Sequence, residues 1–338
     1  MSTFTTTVRS ALSSLLLAAA LLPATAADDP FVGRWALTIP DGGAGWLGIT
    51  ESGGKLEGSI LWGGGSVVPV ASTRVEGDTL VVTRVHQQRT RGADRQSVTT
   101  KETETIRAKI EGDELRLTTE RDRGDGKVFG KANFTGKRIP PLPPAPDLAK
   151  VKFGAPITLL NGKDLTGWRL TSPNAANGWR LEDGALINRP EQEPGKPHKS
   201  YGNLRTDREF EDFNLTLEVR VPKGGNSGVY LRGIYEVQIA DTHGKRLDPH
   251  NMGAVYSRIK PTVSAEKPAG EWQTLDITLV DRHVTVVLNG TKIIDNQPLL
   301  GCTGGALWSD EFRPGPLYLQ GDHMAVDFRN LVLRPVGK

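Results

Sequence analysis

The sequence predicts an all-β protein in two parts: a small antiparallel β barrel or sandwich, then a jelly-roll β-sandwich. Short runs of alternating apolar and polar residues recur along the chain, glycine turns separate many of them, and no stretch has a convincing amphipathic helical period. A proline run, Ile139-Pro140-Pro141-Leu142-Pro143-Pro144-Ala145-Pro146, divides the two parts. Its prolines donate no ladder hydrogen bonds and favour extended polyproline geometry, so residues 139–152 read as a semi-rigid linker. A length of 338 residues suits about two domains, each large enough to bury a core.

Residues 1–26 read as a secretory signal peptide. Arg9 precedes an apolar run from Ala11 to Leu22, and Ala24-Thr25-Ala26 supplies the small-residue spacing of a cleavage site. The run is too short for a stable bilayer helix, and no later stretch approaches the ~20 apolar residues of a span. No cysteine follows it to carry a lipid anchor. The expectation is a secreted or periplasmic protein with no membrane insertion after signal removal. Cys302 is the sole cysteine, so an intramolecular disulfide is excluded and the fold must rest on its core. The formal charge of +3 becomes +2 once Arg9 leaves, which gives no reason to expect a nucleic-acid partner. Arg84, Arg89, Arg91 and Arg95 are interleaved with Gln, Thr, Gly and Asp and read as a solvated hairpin loop.

Residues 28–138 form the first β domain. Its strands are expected at Trp35 to Ile39, Leu47 to Glu51, Leu56 to Trp62, Thr79 to Val85, Thr103 to Ile110, Glu114 to Thr119 and Lys131 to Thr135. Turns such as Ser52-Gly53-Gly54, Glu76-Gly77-Asp78 and Glu111-Gly112-Asp113 join them into a meander of antiparallel hairpins. The opening Gly33-Arg34-Trp35 loosely resembles that of lipocalin-like barrels. Trp35, Trp46 and Trp62 read first as core and second as a sugar-stacking surface. No nucleophile, metal cluster or carboxylate pair stands out, so this domain is assigned no chemistry and its role is unknown.

Residues 153–338 form the second domain. Phe213, Leu215, Leu217, Val219 and Val221 alternate with Asn214, Thr216, Glu218 and Arg220. His283 to Leu288 and Lys292 to Asp295 are joined through Asn289-Gly290, a dipeptide suited to the type I′ turn that matches strand twist. Tyr318-Leu319-Gln320 and Val326 to Leu333 supply further strands, and an antiparallel sandwich with a jelly-roll connection follows.

The candidate site lies in Gly225-Asn226-Ser227-Gly228-Val229-Tyr230-Leu231-Arg232-Gly233 and Tyr235-Glu236-Val237-Gln238-Ile239. Val229, Leu231, Tyr235, Val237 and Ile239 share one parity and suit a core; Tyr230, Arg232, Glu236 and Gln238 share the other. That polar set suits a groove for a polyhydroxylated ligand, with an ordinary solvent face as the plain alternative. Glu236, Gln238 and Asp241 are spaced like the Glu-x-Asp-x-x-Glu strand of retaining glucanases. However, Glu236 and Asp241 need a bulge to share a face, and the middle carboxylate is Gln238. His243, His250 and His323 sit in loops beside Asp241, Asp248 and Asp322, a residue set that also suits a divalent metal. Asp241, His243 and His250 are the weak metal candidates, and no organic cofactor is expected.

Several words in register carry a family resemblance. Leu159-Leu160-Asn161-Gly162-Lys163-Asp164-Leu165-Thr166-Gly167-Trp168, the Asn226-Ser227-Gly228 turn, Tyr235-Glu236-Val237-Gln238 and the closing Leu319-Gln320 to Phe328-Arg329-Asn330 resemble the 3-keto-disaccharide hydrolase domain family. The resemblance covers about residues 153–335. It implies a concanavalin-A-like β-sandwich and a glycoside or oligosaccharide substrate already oxidised at C3. It also implies proton abstraction at C2, loss of the C1 substituent and hydration. In that chemistry Glu236 or His323 would be the base. Arg232 and Gln238 would hold sugar or enolate oxygens, and Tyr230 or Tyr256 would protonate the leaving group. Asn226 and Gln320 complete the substrate-binding set. The alternatives are a non-catalytic carbohydrate-binding module on the same sandwich and, third, a retaining glucanase.

Overall fold

The computed structural model describes residues 29–91 and 97–337. Residues 1–26, expected to be a signal peptide, and Arg95 lie outside the described residues. Among these residues every regular element is a β-strand.

The first sheet runs in the order Val68–Pro69, Lys55–Trp62, Ala44–Ser52, Gly33–Thr38, Val128–Ile139, Glu114–Asp122, Ser97–Glu111, Thr79–Arg91 and Ser72–Glu76. Its two outermost strands are consecutive in the chain. Val70 N donates to Gly58 O at 2.9 Å, and the next residue, Ala71, donates to Thr83 O at 2.8 Å, so the meander closes into a barrel. Trp35, Leu37, Leu47, Ile49, Ile60, Leu80, Val82, Ile106, Leu115, Leu117 and Phe134 fill the interior. All seven expected strands are present; six lie within longer ones, and the first runs from Gly33 to Thr38, ending one residue short of the expected Ile39. The closing strands escaped because they are short, largely exposed and interrupted by Pro69, so they carry no alternation.

The solvated loop expected around Arg84 is instead a long hairpin arm, with strands through Arg91 and from Ser97. Arg84 shares parity with Leu80 and Val82. It turns inward and donates to the buried Glu104 Oε2 at 2.8 Å, while Thr119 Oγ1 donates to Glu104 Oε1 at 2.8 Å. The alternation holds through a charged residue because Glu104 supplies its counter-charge.

The second part is a sandwich of two antiparallel sheets. The larger is ordered Trp179–Glu182, Ala185–Asn188, Val326–Pro335, Phe213–Arg220, Gln273–Val280, His283–Leu288 and Thr291–Pro298, with Ile157–Thr158 also on the Val326–Pro335 strand. The smaller is ordered Trp168–Leu170, Leu204–Thr206, Tyr318–Leu319, Asn226–Leu231 and Tyr235–Ala240. Phe213, Leu215, Leu217 and Val219 face Val229, Leu231, Val237 and Ile239 across the core. Asn289 and Gly290 have φ of 50° and 81°, as the type I′ turn requires.

The same core takes in residues of the barrel. Ala44, Trp46, Leu61 and Ile139 belong to it, so the strands Ala44–Ser52 and Lys55–Trp62 send Trp46 and Leu61 into the sandwich core and Leu47 and Ile60 into the barrel. The proline segment lies along the sandwich, where Pro141 O accepts from Arg282 Nη2 at 3.2 Å and Pro146 O from Asn296 Nδ2 at 2.9 Å.

Candidate active site

The strands Asn226–Leu231 and Tyr235–Ala240 pair in unbroken register, from Asn226 opposite Ala240 to Leu231 opposite Tyr235. Their apolar residues enter the core, as the alternation predicts. Asn226, Tyr230, Glu236 and Gln238 turn to the other face and line a cavity of about 230 Å³. The outer edge is covered by residues 253–256: Gln238 N donates to Ala254 O at 2.9 Å and Tyr256 N to Glu236 O at 3.0 Å. This puts Tyr256 in the cavity wall. On the opposite side Tyr318–Leu319 pairs with Asn226–Leu231, and the chain beyond it brings Gln320, Asp322 and His323 to the same cavity.

Glu236 is the buried centre, 3% exposed. Burial pushes its carboxyl up to about 8, against the opposing pull of the Tyr230 hydroxyl. Tyr230 Oη donates toward Glu236 Oε2 at 2.9 Å and toward Gly304 O at 2.7 Å. One phenolic proton therefore faces two acceptors. Gly304 O can only accept, so a proton on Glu236, donated to Tyr230 Oη, satisfies all three groups. The proton count and the burial favour the same neutral carboxyl. Tyr230 stacks on Tyr318 at 3.8 Å, and Tyr318 Oη donates to Gly305 O at 2.7 Å. Burial holds both phenols well above their ordinary value, so they act as neutral donors.

At the rim His323 Nδ1 lies 3.1 Å from Asp322 Oδ1. The hydrogen bond to Asp322 raises the imidazole above its ordinary value, outweighing burial. Burial opposes ionisation of Asp322, but the bond and charge of His323 prevail and leave it below the usual carboxylate value. Two amide oxygens in the cavity, Gln238 Oε1 and Gln320 Oε1, are buried without a hydrogen-bond partner. Gln238 Nε2 meanwhile donates to Asn226 Oδ1 at 3.0 Å. Unsatisfied acceptors of this kind suit ligand hydroxyls.

Of the expected site residues, Asn226, Tyr230, Glu236, Gln238, Tyr256, Gln320 and His323 come together. Arg232 does not, which corrects its assignment as an enolate partner. The strand ends at Leu231, and Arg232 has φ +56°, so the alternation that aimed it at the site stops one residue earlier. Its guanidinium is buried and donates to Glu311 O at 2.7 Å and Arg313 O at 2.6 Å. Asp241 lies outside the cavity, with Oδ2 accepting from Gly224 N at 2.8 Å. No register shift carries it to the face of Glu236, so the bulge that a glucanase pair needs is not formed. His243 is exposed, and His250 sits behind Tyr256 with ring centroids 5.0 Å apart. Asp241, His243 and His250 thus do not converge, and among the described residues no group of three His, Cys, Asp or Glu could hold a metal.

Sequence reasoning missed Asn203, Tyr318 and the glycines 64, 65, 304 and 305. Asn203 Oδ1 accepts from Gly321 N at 2.8 Å, which fixes the side chain where it lines the cavity. Tyr318 directly precedes the Leu319-Gln320 motif, in a run whose sequence signals only a strand.

Residues 155–334, just over half of the chain, match the family model described as the 3-keto-alpha-glucoside-1,2-lyase-like domain. A 3-keto-disaccharide hydrolase of Bacteroides thetaiotaomicron is 25% identical over 166 residues, covering 41% of this chain and 57% of that relative. The chain thus spans somewhat over half the length of the curated relative it matches. Among solved structures, a candidate glycosyl hydrolase from Parabacteroides distasonis is 21% identical, with a TM-score of 0.43 over 54% of this chain and 94% of its own. A non-specific endo-beta-1,3(4)-glucanase of family GH16 is 13% identical, with a TM-score of 0.35 over 59% of this chain and 94% of its own.

Proposed function

Because the chain belongs to the 3-keto-alpha-glucoside-1,2-lyase-like family, we propose that it cleaves glycosides whose C3 hydroxyl has already been oxidised to a ketone. The observation that carries this reading is the buried, proton-retaining Glu236 beside the His323–Asp322 pair, within one sugar-sized polar cavity. A ketone at C3 acidifies C2. His323, oriented by Asp322, takes the C2 proton, and the C2–H electrons form an enolate on O3. The enolate then collapses to C3=O, a C1=C2 double bond forms, and the C1–O bond breaks. Glu236 gives its proton to the departing oxygen. Water next adds its hydroxyl to C1 and a proton to C2, so the net change is hydrolysis.

The supporting groups fit these roles. Tyr230 is held to Gly304 O and orients Glu236, while the free amide oxygens of Gln238 and Gln320 accept from sugar hydroxyls. Asn203 Nδ2 is suited to donate to the oxygen that becomes the enolate. This reading gives Glu236 the acid role rather than Tyr230 or Tyr256, because Glu236 is the buried carboxyl whose proton is held up to about 8, while burial holds the Tyr230 phenol well above its ordinary value. The signal-peptide pattern of residues 1–26 supports a secreted or periplasmic setting, and no helix among the described residues is long and apolar enough to cross a membrane. The test is the substrate's oxidation state. Purified protein should release the C1 substituent from a 3-keto-disaccharide and not from the parent disaccharide; equal release from both would refute the proposal.

A further inference from the structure

The barrel reaches into the sandwich's cavity. Gly64 and Gly65 line it. They lie just past the barrel strand Lys55–Trp62, in the segment leading to Val68–Pro69. Gly305 N donates to Gly63 O at 3.2 Å. A Cβ on Gly304 would collide with the Gly65 carbonyl and come within 2.7 Å of its nitrogen, so the two backbones touch. On the far side Ser66 Oγ lies 3.0 Å from His250 Nε2, and Val67 N donates to Ser257 Oγ at 2.8 Å. These bonds flank Tyr256, so the loop is tied down at both ends and does not hang free.

The cavity has a floor and a mouth. Glu236, Tyr230 and Tyr318 are buried, whereas Gly64, Gly65 and His323 are exposed. At about 230 Å³ the space falls below the ~300 Å³ at which drug-sized pockets begin, enough for about one sugar ring. A second ring must leave through the mouth, past the glycine loop. Accordingly, and resting on the reading of the site given above, we infer that the barrel's Gly63-Gly64-Gly65 loop is the wall over which the leaving half of the substrate passes, with Gly64 as the position that sets how large that half can be. Gly64 is the informative residue because it lines the cavity, its φ lies outside the left-handed region and a Cβ there meets nothing within 4 Å, so a side chain can be added at this wall without backbone strain.

The experiment compares kcat/KM for a 3-keto-disaccharide with that for methyl 3-keto-glucoside in wild type and in Gly64→Ala, Gly64→Leu and Gly64→Trp, with thermal melts as a folding control. The disaccharide-to-methyl ratio should fall in order of side-chain size, by about tenfold or more for Gly64→Trp. A ratio indifferent to residue 64 in folded variants overturns this inference while leaving the cleavage reading intact. If wild type cleaves neither keto-sugar, the cleavage reading fails. Calorimetric titration of the same two sugars then decides the wall: selective loss of disaccharide affinity in Gly64→Trp upholds it, and equal or absent binding overturns it.

Discussion

Gly228 gives Glu236 its place. A Cβ at Gly228 would overlap the Glu236 carboxyl, lying 2.9 Å from its Cγ and 3.0 Å from its Cδ. Gly228 faces Gln238 across the strand pair and Tyr230 faces Glu236, so the carboxyl folds back over the one residue without a side chain. Gly228→Ala should therefore displace Glu236 and lower kcat/KM by ~10² or more, with about 1–3 kcal/mol of lost stability from overpacking. Kinetics and a denaturant titration check both; near-normal turnover would show that the carboxyl's position is not critical.

The pH profile separates the roles of the two titrating groups. With His323 as base and Glu236 as acid, kcat/KM should rise through the imidazole's titration, which Asp322 moves above 6.5, and fall through that of Glu236, near 8. Glu236→Gln should lose the alkaline limb along with ~10² or more of the rate. A profile that climbs to a plateau above that second value would make Glu236 the base.

Stability should carry the same signature. The folded-state value near 8 lies above the ordinary 4.5, so the native chain binds this proton more tightly than the unfolded chain does. That contribution is whole below the ordinary value and is lost as pH rises through the folded one, at ~1.4 kcal/mol for each pKa unit of separation. Glu236→Gln is neutral throughout, so its stability should gain on wild type between about pH 5 and about pH 9. Denaturant melts across that range test this, and parallel curves would contradict it.

The barrel and the sandwich should melt together. Trp46 and Leu61 leave the barrel wall and enter the sandwich core, and Arg258 lies over the Trp46 ring at 4.5 Å. A single calorimetric transition is expected for the full chain, with Trp46→Ala costing about 3–5 kcal/mol. Two transitions, together with an active fragment of residues 153–338, would instead support independent folding at the proline segment.

Period-two alternation made most of the strands legible, because many have an apolar face in a core and a polar face turned away from it. It read Tyr230, Glu236 and Gln238 onto one face correctly and failed at Arg232, where a left-handed residue ends the strand. It had no purchase on Val68–Pro69 and Ser72–Glu76, which close the barrel through backbone bonds alone. The site was half legible for a related reason. Polar side chains on a strand announce themselves, but Asn203 and the glycines 64, 65, 304 and 305 act through loop backbone and through contacts between distant segments. The packing of the barrel loop on Gly304 has no signature in either stretch read singly.

The central claim is that bond breaking begins with loss of the C2 proton, and deuterium tests it most directly. A 3-keto-disaccharide is turned over in deuterated water, and the keto-sugar product is examined for label at C2 after correction for exchange without enzyme. Elimination followed by hydration predicts deuterium at C2 in step with C1 release, both slowed by ~10² or more in His323→Ala. C1 release with no enzyme-dependent label at C2 would contradict the account and point to direct hydrolysis.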